Sequence, residues 1–192
     1  MFPKSTGGPT RCSFSEESSV ELIRAKIRDV ADFPKPGIIF KDITPILQDS
    51  VAFRATIDEL ASRLQVHAID HIAAIESRGF LFGAALAYKL GVGLIVVRKP
   101  NKLPWTTHRQ TYDLEYGSDS IEVHVDSVSP GERVLIVDDL LATGGTVAAT
   151  IRLFERLNAH IVGTAVVVEL AFLNGRQRLG EQHPVTSLVV YE

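Results

Sequence analysis

The run Val134-Leu135-Ile136-Val137-Asp138-Asp139-Leu140-Leu141-Ala142-Thr143-Gly144-Gly145-Thr146 constrains this chain more than any other stretch. Its first four residues are apolar and three of them are β-branched, the signature of a strand buried on both faces of a parallel sheet. Two carboxylates follow at the strand's carboxyl end, then a loop of small residues, then a helical stretch from near Val147. Open α/β sheets bind ligands outside the carboxyl ends of their strands. A loop free of bulky side chains lets backbone N–H groups close around a phosphate at a helix N-terminus. The ligand therefore carries one phosphate for the loop and hydroxyl or cationic groups for the carboxylates, and a ribose phosphate meets both demands. The loop lacks the lysine that would reach a nucleotide's β- and γ-phosphates, and no G-x-G-x-x-G is present to favour a dinucleotide.

At 192 residues the chain is long enough for one domain with a good core. A net charge of −3 gives no bulk attraction to nucleic acid or membrane, so any cationic site is local. Cys12 is the single cysteine, which excludes an intrachain disulfide and a cysteine-based metal cluster and suits a reducing, cytoplasmic setting. No apolar run approaches a membrane span. Residues 1–18 are rich in Ser, Thr, Gly and Pro and lack a signal peptide's apolar stretch. They read as a flexible tail without chemistry of its own, and residues 19–192 as a single domain.

Ser18 and Glu21 form a capping box before Val20, Ile23, Ile27 and Val30, which predicts an amphipathic helix. Pro34, Pro36 and Pro45 predict an extended loop. Helices are expected over 51–64, over 80–90 with a stop at Gly91, and from 147 to about 157. Strands are expected over 72–75, 94–97, 134–137, 161–168 and 188–190. Ile121, Val123 and Val125 alternate with polar residues, as in a half-buried strand. Residues 98–111 carry several basic side chains and no apolar period. The alternation of strands and helices predicts an α/β fold around a parallel-rich sheet.

The 134–146 run resembles the phosphoribosyl-pyrophosphate signature of the type I phosphoribosyltransferases. Four further stretches resemble adenine-using members of that family: Phe33-Pro34-Lys35-Pro36-Gly37-Ile38-Ile39-Phe40-Lys41-Asp42, Glu76-Ser77-Arg78-Gly79-Phe80-Leu81-Phe82-Gly83, Arg98-Lys99-Pro100-Asn101-Lys102-Leu103-Pro104 and Tyr112-Asp113-Leu114-Glu115-Tyr116-Gly117. The resemblance implies the family's fold, a parallel-rich sheet flanked by helices, with a small hood for the base and a flexible lid. It implies transfer of a 5-phosphoribosyl group from phosphoribosyl pyrophosphate to adenine, giving AMP and pyrophosphate in purine salvage.

The same resemblance distributes the roles. Asp138 and Asp139 face the ribose hydroxyls and help hold Mg²⁺ through water, the ion resting mainly on substrate oxygens. Ala142, Thr143, Gly144, Gly145 and Thr146 cradle the 5′-phosphate. Glu76, Ser77 and Arg78 form a pyrophosphate loop that often contains a cis peptide. Lys99 and Lys102 also reach pyrophosphate, partly across a homodimer interface, and the stretch to Thr111 acts as the lid. Glu115 is the general acid/base candidate. Ile39, Phe40, Lys41 and Leu170 would hold adenine, the aromatic stacking on one face and the leucine covering the other. A backbone carbonyl at Ile39 accepts from adenine's amine and repels a 6-oxo group. The strand over 164–170 has no lysine to bind a 6-oxo group, and Glu169 is its one charge. A xanthine phosphoribosyltransferase is the nearest alternative enzyme. A phosphoribosyl-pyrophosphate-sensing regulator is the alternative from another class, opposed by the net charge and the lack of room for a nucleic-acid-binding domain.

Overall fold

The structure is a computed structural model that describes residues 16–64, 68–113 and 118–192. In chain order the elements are α1 (Glu16–Ala25), β1 (Arg28–Ala31), β2 (Ile39–Asp42), α2 (Thr44–Gln48), α3 (Ser50–Leu64), β3 (His71–Ile75), α4 (Gly79–Leu90) and β4 (Gly93–Val97). There follow β5 (Thr107–Asp113), β6 (Ser118–His124), β7 (Arg133–Leu141), α5 (Gly145–Arg156), β8 (His160–Leu170), α6 (Gly175–Leu179) and β9 (Val185–Tyr191).

The buried run at 134–137 becomes the centre of a five-stranded, all-parallel sheet with strand order β4-β3-β7-β8-β9. Successive side chains of a strand point to opposite faces, and β7 obeys this directly. Val134 and Ile136 join the core on one face with Val147, Ile151 and Phe154 of α5. Leu135 and Val137 join the core on the other face with Ile23, Leu60, Phe82 and Leu86 from α1, α3 and α4. Both faces are covered, which explains why the strand sequence is continuously apolar rather than alternating. Helix α4 stops where expected, at Gly91 with φ of 71°.

Five expectations change. Helix α1 begins at Glu16, so Ser18 and Glu21 lie inside it rather than capping it. Val30 leaves the helical pattern to pair with Phe40 in an antiparallel β1–β2 ribbon, the proline-rich loop being only the connection between those strands. Pro45 sits in the first turn of α2, where its missing N–H costs nothing. The aperiodic basic stretch ends in a strand, β5, paired with β6 in a second ribbon. A ribbon with one wet face needs no sustained apolar run, and the pattern was silent for that reason. Within β6 Glu122 is buried with Ile121 and Val123 instead of facing water, because Arg109 Nε binds it at 2.8 Å and the Asn101 N–H at 3.1 Å.

Candidate active site

The five sheet strands run the same way, so the segments after β3, β4, β7 and β8 emerge at one edge. Register decides what they expose. The β3 ladder on β7 ends at the pair Ala74–Val137. Residues 138–141 of β7 continue past it, laddered only to β8. A cleft of about 250 Å³ occupies that gap, lined by Glu76, Ser77, Arg78, Lys99, Asp138, Asp139 and Thr146.

Two helices begin at this cleft, α4 after the β3 loop and α5 after the β7 loop, and neither first turn is capped by a side chain. In α4 the Phe80 and Leu81 N–H groups donate to the Ser77 and Arg78 carbonyls at 3.3 and 3.1 Å, and the dipole with the remaining first-turn N–H groups at each start suits two separate anions. Gly144 enters α5 with φ of 76°, a left-handed turn that glycine adopts without Cβ strain. The Glu76–Ser77 peptide that leads into α4 is cis.

The carboxylate pair stands between the two helix starts. Asp139 is buried and accepts a hydrogen bond from Arg78 Nε at 2.5 Å. Asp138 Oδ1 accepts the Asp139 N–H at 2.9 Å. Burial, and next the charge of Asp139, push the Asp138 carboxyl well above the ordinary carboxylate range, with Arg78 acting against both. The Arg78 guanidinium also lies 5.4 Å from the centre of the Phe40 ring, which Phe33 meets edge-on at 5.1 Å. One arginine thereby joins the 76–79 loop, the carboxylate pair and the β1–β2 ribbon.

Glu76 turns toward the end of β4. Its carboxylate accepts the Lys99 N–H at 2.9 Å and Arg98 Nε at 3.2 Å. Burial alone would raise its pKa, and these donors bring it below the ordinary value instead. Lys99 Nζ donates to the Tyr112 hydroxyl at 3.1 Å and pairs with Asp119. Burial disfavours the charged amine, but Asp119 and Tyr112 outweigh it and keep the ammonium. The Thr146 hydroxyl donates to the same Tyr112 oxygen at 3.2 Å, which ties the β5–β6 ribbon to the start of α5.

A strand edge presenting paired carboxylates between two anion-binding helix starts fits a ligand that is phosphorylated at both ends and hydroxylated between. Comparison with known proteins agrees. The phosphoribosyl transferase domain family matches residues 46–189. The adenine phosphoribosyltransferase of an Anaeromyxobacter species is 54% identical over 174 residues, covering 91% of this chain and 98% of the relative. The chain belongs to the adenine phosphoribosyltransferase family. A crystal structure of the Thermoanaerobacter pseudethanolicus adenine phosphoribosyltransferase is similar at 52% identity and a TM-score of 0.87, covering 90% of this chain and 99% of that one. The Saccharomyces cerevisiae adenine phosphoribosyltransferase, complexed with adenine and an imino-altritol bisphosphate, is similar at 40% identity and a TM-score of 0.84, covering 90% and 99%.

Seen as an adenine phosphoribosyltransferase family member, the chain brings most of the expected residues to one place. Glu76, Ser77, Arg78, Lys99, Asp138, Asp139 and Thr146 line the cleft. Ala142, Thr143, Gly144 and Gly145 form the turn between β7 and α5. Phe40 reaches the cleft through Arg78, while Ile39 is 58% exposed and Leu170 ends β8 half-buried. Lys41 directs its ammonium to Asp29 at 2.7 Å and over the Tyr191 ring at 4.0 Å. Lys102 is exposed and lies outside the cleft, its carbonyl accepting Arg98 Nη1 at 3.1 Å. Glu115 lies outside the described residues. Tyr112 and Asp119 were not singled out from the sequence as partners of Lys99. They sit directly opposite each other in the β5–β6 register, so only the pairing of that ribbon reveals them. A larger hollow of about 410 Å³ beside Arg176, Glu181 and His183 contains none of the expected site residues.

Proposed function

We infer that this chain transfers the 5-phosphoribosyl group of phosphoribosyl pyrophosphate to adenine, giving AMP and pyrophosphate. The bond from the anomeric carbon to the pyrophosphate oxygen breaks, and a bond from that carbon to a purine ring nitrogen forms. The purine's ring N–H proton goes to Glu115 in this reading. The observation that carries it is the placement of two uncapped helix starts on either side of Asp138 and Asp139 at one sheet edge. The start of α5 takes the 5′-phosphate and the start of α4, with Arg78 and Lys99, takes pyrophosphate. Asp138 and Asp139 hold the ribose hydroxyls and favour the positive charge that develops on the ring. Phe40 and Leu170 sandwich the base, while the backbone of Ile39 selects adenine and Lys41 supports that strand.

Mg²⁺ fits this arrangement as a companion of the substrate. Among the described residues no group of three or more His, Cys, Asp or Glu side chains could cage a metal. A hard cation held chiefly by pyrophosphate and ribose oxygens needs only Asp138 and Asp139 as outer partners. When bound it would neutralise the leaving pyrophosphate. A homodimer is supported by an apolar stripe on the outer face of α4 and the neighbouring edge strand, where Leu81 is 47%, Tyr88 92% and Leu94 42% exposed. Lys102, absent from the cleft lining of its own chain although its charge acts on Glu76, would serve the neighbouring one. The single cysteine supports a cytoplasmic setting; among the described residues no helix is long and apolar enough to cross a membrane.

The test is AMP formation from phosphoribosyl pyrophosphate and Mg²⁺, with adenine, hypoxanthine, guanine and xanthine in parallel. Turnover of adenine alone is expected. Turnover of an oxopurine instead would overturn the role given to the Ile39 backbone.

A further inference from the structure

Glu169 is the one charge in an otherwise apolar and neutral stretch of β8, and nothing in the reaction uses it. It is 5% exposed and sits opposite Leu141 in the β7–β8 register, where the 142–146 loop leaves the sheet. Its carboxylate accepts Arg176 Nε at 2.9 Å, Arg176 Nη2 at 2.5 Å and the Ser187 hydroxyl at 2.5 Å. Arg176 Nη1 goes on to the Val185 carbonyl at 2.8 Å. This two-pronged ion pair pins the start of α6, a helix of five residues and too short to hold its own shape.

The residue before Arg176 is Gly175, and it lies against the phosphate loop with no side chain between the two backbones. A Cβ on Gly175 would stand 2.1 Å from the Ala142 carbonyl oxygen and 3.1 Å from the Gly144 nitrogen. A Cβ on Gly144 would stand 2.7 Å from the Gly175 carbonyl oxygen. The loop is therefore backed by α6, and α6 is held in place by Glu169.

We propose that Glu169, Arg176 and Gly175 are positioning residues for the sugar's 5′-phosphate: the ion pair fixes Gly175, and Gly175 fixes the backbone amides of the 142–146 loop. None of the three lines the cleft. The inference rests on the phosphoribosyl-transfer reading above. It separates the phosphate subsite from the β1–β2 side of the base subsite, which receives no hydrogen bond or ion pair from these residues among those described; Leu170, the other cover of the base, follows Glu169 in β8, so the test substitutes Arg176 and Gly175 rather than Glu169.

The experiment compares Arg176→Met, Arg176→Lys and Gly175→Ala with the wild-type enzyme. It measures kcat, the KM for each substrate, ribose 5-phosphate binding by calorimetry, and the melting temperature. Arg176→Met and Gly175→Ala should raise the KM for phosphoribosyl pyrophosphate and the Kd for ribose 5-phosphate by about tenfold or more while the adenine KM stays within about twofold, since a misplacement near an ångström costs up to about a hundredfold. Arg176→Lys keeps the charge without the fork and should fall between. If Arg176→Met does not fold, Gly175→Ala moves the same loop with the ion pair intact and decides the matter. Variants that only melt earlier, with both KM values unchanged or both raised together, would overturn the inference. A wild-type enzyme that forms no AMP would instead overturn the parent reading.

Discussion

Replacing Phe40 by Ala tests the coupling between base and pyrophosphate sites. Among the described residues the ring contacts Arg78 at 5.4 Å and Phe33 at 5.1 Å. Stacking of a base on an aromatic side chain is worth about 1–3 kcal/mol by alanine substitution, so the adenine KM should rise about 5- to 150-fold. Arg78 loses a partly exposed cation–π contact worth about 0.5–1 kcal/mol, which predicts a rise of about two- to fivefold in the KM for phosphoribosyl pyrophosphate. Asp139 still holds the guanidinium at 2.5 Å, so the second effect stays the smaller. Steady-state AMP formation with each substrate varied in turn measures both. Phe40→Tyr keeps the ring and should stay near wild type on the two axes. Equal rises in the two KM values would refute the stacking role and make Phe40 a structural residue. A larger effect on phosphoribosyl pyrophosphate would mean that the ring acts chiefly through Arg78.

Three other variants test the described contacts. Asp138 is raised by burial and by Asp139, so its ionisation costs the fold stability. That loss is absent below the unfolded value and complete once pH has passed the folded one, so Asp138→Asn should melt above wild type at neutral pH, with the difference closing in acid. The same variant should lose about a hundredfold or more in kcat if the carboxylate supports developing charge, and wild-type turnover would dismiss that role. Phe154→Ala removes a fully buried ring of the α5 core and should cost about 3–5 kcal/mol, a fall of about 6–20 °C in Tm by calorimetry. Asp119→Asn releases Lys99 from a competing, partly exposed carboxylate and should tighten pyrophosphate inhibition about two- to fivefold; weaker inhibition would mean that Asp119 instead holds Lys99 in its working position.

The parts of the site legible in the sequence were those whose chemistry is local. Strand β7, its carboxylates and its glycine turn are contiguous, and burial on both faces leaves a continuous run of apolar residues. The short apolar runs at 72–75 and 94–97 and the glycine that stops α4 at Gly91 are likewise local signals. What escaped was pairing over distance. Val30 carries a helical period, yet its backbone partner is Phe40. Glu122 reads as a solvent-facing position of an alternating strand and Glu169 only as the one charge of its stretch, and both are buried because Arg109 and Arg176 come to meet them. Arg78 was assigned to pyrophosphate, but no spacing reveals that it bridges Asp139 and Phe40, residues from two other elements.

The β1–β2 ribbon that carries Ile39, Phe40 and Lys41 forms a sheet of its own and, among the described residues, shares no ladder with the five parallel strands. In the reading proposed above, most of the base contacts are therefore heritable apart from the sugar-phosphate edge, Leu170 at the end of β8 being the one shared with it. A lineage could shift the base it salvages largely by rewriting one short excursion, leaving the edge that handles the activated sugar intact. Arg78 is the constraint on such drift, since every rewritten ribbon must still present a surface to the same guanidinium.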